Sequence, residues 1–137
     1  MWGLLLGWSL DLTTVDPKDG KPWDFSIQSK RDRVEQMIRD KQALLLIGSP
    51  MCSAFSQLQL LNRHKMGEEE YNNKAREATE HLRFCTKLHE MQLDNGMYFL
   101  HEHPSYAKSW KEDTIGRLLK GQRVFAVEGD MCMFGMQ

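Results

Sequence analysis

The hydrophobic pattern of this chain is clearest between Ala43 and Ile47, where five apolar residues run directly into Gly48, Ser49 and Pro50. A short apolar run bounded by turn residues is typical of a buried strand in a parallel sheet. Shorter apolar runs predict three more strands, which we place at Trp8–Leu12, Met97–Leu100 and Arg123–Val127.

Apolar residues at three- and four-residue steps predict helices between these strands. The predicted helices span Ser29–Asp40, a short stretch near Phe55–Leu61, Glu68–Leu93 and Trp110–Lys120. In the first helix Val34, Met37 and Ile38 form the apolar stripe, and we expect its basic residues to face water. Those basic residues are Lys30, Arg31, Arg33 and Arg39. The sequence Asp16-Pro17-Lys18-Asp19-Gly20 predicts a turn, and Asn95-Gly96 predicts the left-handed end of the long helix.

The alternation of strands and helices predicts an α/β fold with a mainly parallel, Rossmann-like sheet. With 137 residues the chain fits a single domain over 1–137, and both ends suggest a fragment of a larger domain. The formal net charge of -1 gives no overall electrostatic attraction to nucleic acid. No apolar run approaches the roughly 18 residues of a membrane span. Three cysteines without a pairing pattern favour a reducing, intracellular location, cytoplasm or nucleus.

Two predicted strand ends carry residues suited to catalysis. Cys52 follows the strand Ala43–Ile47 by a few residues, and Glu102 follows the strand Met97–Leu100. If the two strands are parallel neighbours, both residues emerge at the same edge of the sheet, where ligands bind in open parallel sheets. A thiol can add to an electrophilic carbon while a carboxylic acid supplies a proton to the atom that gains charge.

Both stretches resemble the DNA cytosine-5 methyltransferases. The nucleophile loop of that family reads approximately G-G-P-P-C-Q-x-F-S after a buried strand, and this chain has G-S-P-M-C-S-A-F-S over Gly48–Ser56. The next signature of the family is Glu-Asn-Val at the end of an apolar strand. This chain has F-L-H-E-H-P over Phe99–Pro104, which places Glu102 on the family's glutamate.

The resemblance implies a role for each matching residue. Cys52 would attack carbon 6 of a flipped cytosine, Glu102 would contact the ring nitrogen that needs a proton, and carbon 5 would take a methyl group from S-adenosyl-L-methionine. DNA is the implied partner, with no membrane and no metal. The implied substrate contacts are Ser53, Ser56 and His103, and Pro50 is an implied cofactor contact. Independently of the resemblance, Asp11 or Asp16 is a candidate to contact a cofactor ribose, as acidic strand ends do in nucleotide-binding sheets, with turn formation the alternative for Asp16.

The chain also departs from the family. Met51 replaces the second proline, Ser53 replaces glutamine, and His103-Pro104 replaces Asn-Val. The glycine-rich cofactor loop F-x-G-x-G does not occur in the sequence. A non-catalytic remnant of a larger or mobile-element polyprotein is therefore an alternative.

Plainer interpretations of these residues also stand. In the simplest interpretation Cys52 is only a small buried residue. Glu102 is then only an exposed carboxylate at the end of a strand. A further alternative is a metal-dependent hydrolase or nuclease that uses His101, His103 and Cys52 or Cys132. Cys85 lies on the predicted inward face of the long helix, where we expect it to be part of the core.

Overall fold

The structure is a computed structural model, and it describes residues 3, 5–41, 43–51 and 64–130. Within these ranges the chain forms a small mixed α/β arrangement of three α-helices and two parallel strands. In chain order the elements are α1 (Gln28–Arg39), β1 (Leu45–Gly48), α2 (Glu68–Asp94), β2 (Tyr98–His101), a 3-10 helix (Lys108–Lys111) and α3 (Asp113–Leu119). None of the helices in these ranges is long and apolar enough to cross a membrane.

The two strands lie side by side and run parallel, as the sequence predicts. The expectation that the first of them is a buried strand is wrong, because Leu45 and Ile47 are 41% and 62% exposed. At one end the Tyr98 amide donates to the Leu44 carbonyl at 3.0 Å. At the other end the Glu102 amide donates to the Gly48 carbonyl, also at 3.0 Å. The carboxyl ends of β1 and β2 are therefore in register.

The predictions of strands at Trp8–Leu12 and Arg123–Val127 are wrong. Residues 8–12 and 123–127 have no strand structure, and neither segment pairs with β1 or β2 in the described ranges. In the second segment the Phe125 and Val127 side chains are 85% and 89% exposed. A strand needs a neighbouring strand to hydrogen-bond its backbone N–H and C=O groups. Without such a neighbour, the local apolar pattern is not enough to form a strand.

The described chain divides into two compact units. The first unit comprises Met1–Ile47 and Lys87–Leu100. Its buried apolar residues are Trp23, Val34, Met37, Ile38 and Leu88, which confirms the predicted inward face of α1.

The expectation that Lys30 faces water is wrong. Its side chain is 4% exposed and its Nζ lies 3.1 Å from Asp16 Oδ2 and 2.7 Å from Asp19 Oδ1. The predicted turn brings both carboxylates to it, and the Gly20 amide closes that turn by donating to the Asp16 carbonyl at 2.8 Å. The buried ammonium is tolerated because it is paired with two carboxylates.

The second unit comprises Gly48–Thr86 and His101–Gln137. Leu82 of α2 and Ile115 of α3 are almost fully buried against each other, with Ala78 and Trp110 packed beside them. This cluster fixes the segment that follows β2, because Trp110 belongs to the 3-10 helix of that segment. The predicted helix over Trp110–Lys120 is thus present as a 3-10 turn followed by α3.

Candidate active site

Glu102 lies directly beside the start of the loop that leaves β1. The Ser49 hydroxyl donates to Glu102 Oε2 at 3.0 Å, next to the backbone pair between the Glu102 amide and the Gly48 carbonyl. The Glu102 side chain is exposed, so Oε1 remains accessible from solvent. Ser49 and Glu102 therefore meet, although more than fifty residues separate them in sequence.

His103 joins the same two segments through its imidazole ring. Its Nε2 lies 3.1 Å from the Pro50 carbonyl oxygen, and its Nδ1 is hydrogen-bonded to Ser109 Oγ. A carbonyl oxygen can only accept, so Nε2 carries the proton and Nδ1 accepts from the Ser109 hydroxyl. All three residues are buried.

The surroundings keep His103 neutral. Burial lowers the pKa of its imidazole, and the Pro50 carbonyl and the Glu102 charge oppose that decrease without reversing it. The ring of Trp110 meets His103 and His101 edge-on, with centroid distances of 6.4 and 5.8 Å. The Trp110 indole Nε1 in turn donates to the Pro104 carbonyl at 2.7 Å. The segment after β2 is thus folded back on itself around these rings.

His101 and Cys85 lie close to each other in the same unit. A ring nitrogen of His101 lies within 4.8 Å of the Cys85 sulfur. Burial lowers the pKa of His101 to about 4, with the neighbouring His103 adding to the decrease. Burial also raises the pKa of the Cys85 thiol to about 12. Both groups are therefore neutral near pH 7 and do not form a thiolate–imidazolium pair.

Zinc prefers thiolate and imidazole ligands. Among the described residues of this unit, Cys85 and His101 are therefore relevant to the alternative of a metal-dependent hydrolase or nuclease. His103 is poorly suited to bind a metal because both of its ring nitrogens are engaged by Pro50 and Ser109.

The remaining predicted site residues fall into two groups. Asp11 is exposed, and its Oδ1 accepts hydrogen bonds from the Thr13 amide at 2.8 Å and the Thr13 hydroxyl at 2.9 Å. These bonds lower the pKa of the Asp11 carboxyl and form a local turn. Pro50 is buried and offers its carbonyl to His103. The residues outside the described ranges are Cys52, Ser53, Ser56 and Cys132.

Two residues of the arrangement were not singled out by the sequence. Ser49 lies within the nucleophile-loop match, and its hydroxyl one residue past the strand was a usable signal. Ser109 gives no such signal, because its contact with His103 depends on the 3-10 helix of Lys108–Lys111. The half-buried Cys85 was expected to be part of the core, and its distance from His101 could not be predicted from the spacing in the sequence.

Comparisons with protein-family models, with curated proteins and with solved structures found no match for this chain.

Proposed function

We propose that this chain carries the nucleophile half of a cytosine-5 methyltransferase-like site on a Rossmann-like sheet, acting on a pyrimidine in DNA. The observation that carries the proposal is the hydrogen bond from Ser49 to Glu102. It joins the two sequence signatures at the carboxyl ends of adjacent parallel strands, where open α/β sheets bind ligands.

In the proposed reaction the Cys52 thiol loses its proton to solvent water and its sulfur bonds to carbon 6 of the ring. The π electron pair of the 5,6 double bond forms a double bond between carbons 4 and 5, the π pair between carbon 4 and nitrogen 3 moves onto nitrogen 3, and that nitrogen takes a proton from the protonated form of the Glu102 carboxyl group. Carbon 5 becomes nucleophilic as a result. Ser49 orients the carboxyl group by bonding one of its oxygens, which leaves the exposed oxygen for the ring.

S-adenosyl-L-methionine is the methyl donor that the resemblance implies. Of the two residues predicted to contact it, Asp11 accepts a hydrogen bond from the Thr13 amide, and the Pro50 carbonyl is bonded to His103. The proposal therefore concerns attack on the ring, and no step of it passes through the donor.

A direct test follows the hydrogen at carbon 5 of cytosine. Reversible attack at carbon 6 lets carbon 5 take a deuteron from D2O, lose its original proton to solvent and release the Cys52 sulfur. DNA incubated with the chain should therefore gain deuterium at carbon 5, as measured by mass spectrometry of the nucleosides. Cys52→Ala should abolish the exchange. Glu102→Gln should slow it by about 100-fold or more, because a positioned acid contributes about 10²–10⁴-fold.

Exposed Glu69 of α2 provides the matched control, and Glu69→Gln should leave the exchange rate unchanged. Exchange that persists in Cys52→Ala, or no exchange with the intact chain, would contradict the proposal. The metal-dependent alternative predicts instead a hydrolytic activity that a chelator removes.

A further inference from the structure

His103 occupies the point where the segment after β2 meets the loop after β1. Three hydrogen bonds tie these segments together: Glu102 amide to Gly48 carbonyl, Ser49 hydroxyl to Glu102 carboxylate, and His103 Nε2 to Pro50 carbonyl. The last of these reaches farthest along the loop. Cys52 follows Pro50 by two residues in the sequence.

Pro50 makes this contact informative. A proline fixes its own φ and has no amide proton, so its carbonyl is its one backbone hydrogen-bonding group. That carbonyl is buried, and the partner that the structure gives it is His103. Loss of that donor leaves a buried acceptor unsatisfied, which destabilises this arrangement unless the loop moves to reach water.

Ser109 supports the tautomer of His103 that the Pro50 carbonyl requires. Its hydroxyl donates to Nδ1, which favours the tautomer with the proton on Nε2. Ser109 is fully buried on the 3-10 helix, and the neighbouring Trp110 packs against the Leu82–Ile115 cluster. The packed core of this unit therefore supports a chain of two hydrogen bonds, from Ser109 to His103 and from His103 to Pro50, which we call the Ser109–His103–Pro50 chain.

From this geometry we infer that His103 is a positioning residue that holds the loop leading to Cys52 beside Glu102, an inference that rests on the proposed function. Sequence reasoning assigned His103 to substrate contact. With both ring nitrogens committed to protein partners, the ring acts through Pro50 and does not touch the substrate.

The first test is independent of catalysis and determines the tautomer. Long-range proton–nitrogen NMR spectra of the intact chain should show neutral His103 with its proton on Nε2. Ser109→Ala should raise the fraction protonated on Nδ1, while Ser105→Ala, an exposed serine of the same segment, should not. A proton on Nδ1 in the intact chain, or no response to Ser109→Ala, would overturn the inference.

The second test uses the deuterium exchange at carbon 5 of cytosine. His103→Leu removes the donor to Pro50 and should lower the maximal exchange rate by about ten-fold or more, because small misplacements of reacting groups carry large rate penalties. His103→Gln places an amide nitrogen near the Nε2 position and should restore the rate to within about three-fold of the intact chain. Substitution of exposed His64 by Gln should have no effect.

The thermal midpoints of all variants are measured alongside, so that only folded variants are compared. If His103→Leu is unfolded, the comparison passes to Ser109→Ala against Ser105→Ala, where a loss of about three-fold or more is expected in the former alone. Equal rates for His103→Gln and a folded His103→Leu would overturn the inference while leaving the proposed function intact. No exchange by the intact chain would refute the proposed function. It would also refute the positioning role of His103 in that function, even if the NMR result holds.

Discussion

Cys85 illustrates how burial decides the chemistry of a single side chain. Its thiol lies within 4.8 Å of a His101 ring nitrogen, a partner that activates cysteine in many enzymes when the imidazole is charged. Here burial moves the two pKa values apart, with Cys85 raised to about 12 and His101 lowered to about 4. Proximity without charge gives an inert thiol.

We therefore expect slow alkylation of Cys85 in the folded chain. A pKa of about 12 leaves the thiolate fraction at neutral pH about a thousand-fold below that of an ordinary cysteine. Iodoacetamide labelling at pH 7.5, followed by mass spectrometry of the Cys85 peptide, should be at least about 100-fold slower in the native protein than in concentrated urea. Equal rates in the two conditions would contradict this prediction.

At the scale of one element, the end of α2 is set by glycine chemistry. Gly96 has φ +72, its amide donates to the Leu93 carbonyl at 2.9 Å, and the Met97 amide donates to the Gln92 carbonyl at 2.8 Å. This is the Schellman pattern, in which a left-handed residue satisfies the last carbonyls of a helix. The sequence Asn95-Gly96 predicts it, and the structure confirms it.

Gly96→Ala should lower the free energy of unfolding by about 1 kcal/mol, because an L residue is strained at positive φ. No atom lies within 4 Å of the added methyl group, so this cost comes from the backbone and not from a clash. Gly116, inside α3 and equally open, is the matched control: Gly116→Ala should raise stability by about 0.5–1 kcal/mol. Urea unfolding measures both, and the same sign for both changes would be inconsistent with this account.

The elements that the sequence predicts well are those whose signal is local. Long amphipathic periodicity and end signals place α1 and α2 almost to the residue. The strand predicted at Arg123–Val127 failed because a strand needs a neighbour, and hydrophobicity does not say whether one is present. β1 and β2 succeeded because each supplies the other with that neighbour.

The same distinction applies to the proposed site. The meeting of Glu102 with the loop after β1 follows from a general rule about parallel strands, so it could be predicted. The Ser109–His103–Pro50 chain depends on how a 3-10 turn packs, which no spacing in the sequence reveals. Likewise, the burial of Lys30 depends on two aspartates that a distant turn presents to it.

For the molecule as a whole, the titrating groups are separated along the chain by type. Four aspartates with lowered pKa values, Asp11, Asp16, Asp19 and Asp24, lie in the first two dozen residues. For Asp16, burial would raise the pKa, but the Lys18 amide and the Lys30 ammonium outweigh it. Three histidines with lowered pKa values lie later in the chain: His81 within α2, His101 at the end of β2 and His103 just after it.

These shifts predict that acid destabilises the chain in two stages. A histidine whose pKa is lower in the folded state binds protons more weakly there than in the unfolded chain, so its contribution is complete above about pH 6.5. That contribution falls as the pH decreases toward about 4, the pKa of folded His101. The aspartates act lower on the scale, because their contribution is present above their ordinary pKa of 3.8 and is lost as the pH falls through their folded values.

Urea unfolding at a series of pH values between 7 and 3 should therefore show a first decrease in stability from pH 6.5 to 4 and a second below it. His101→Phe keeps a half-buried ring that does not titrate, so it should reduce the first stage, to which His81 and His103 still contribute, and leave the second unchanged. His64→Phe, at an exposed histidine, is the control and should preserve both stages. An unchanged first stage in His101→Phe would show that burial of this imidazole is not what makes the chain sensitive to mild acid.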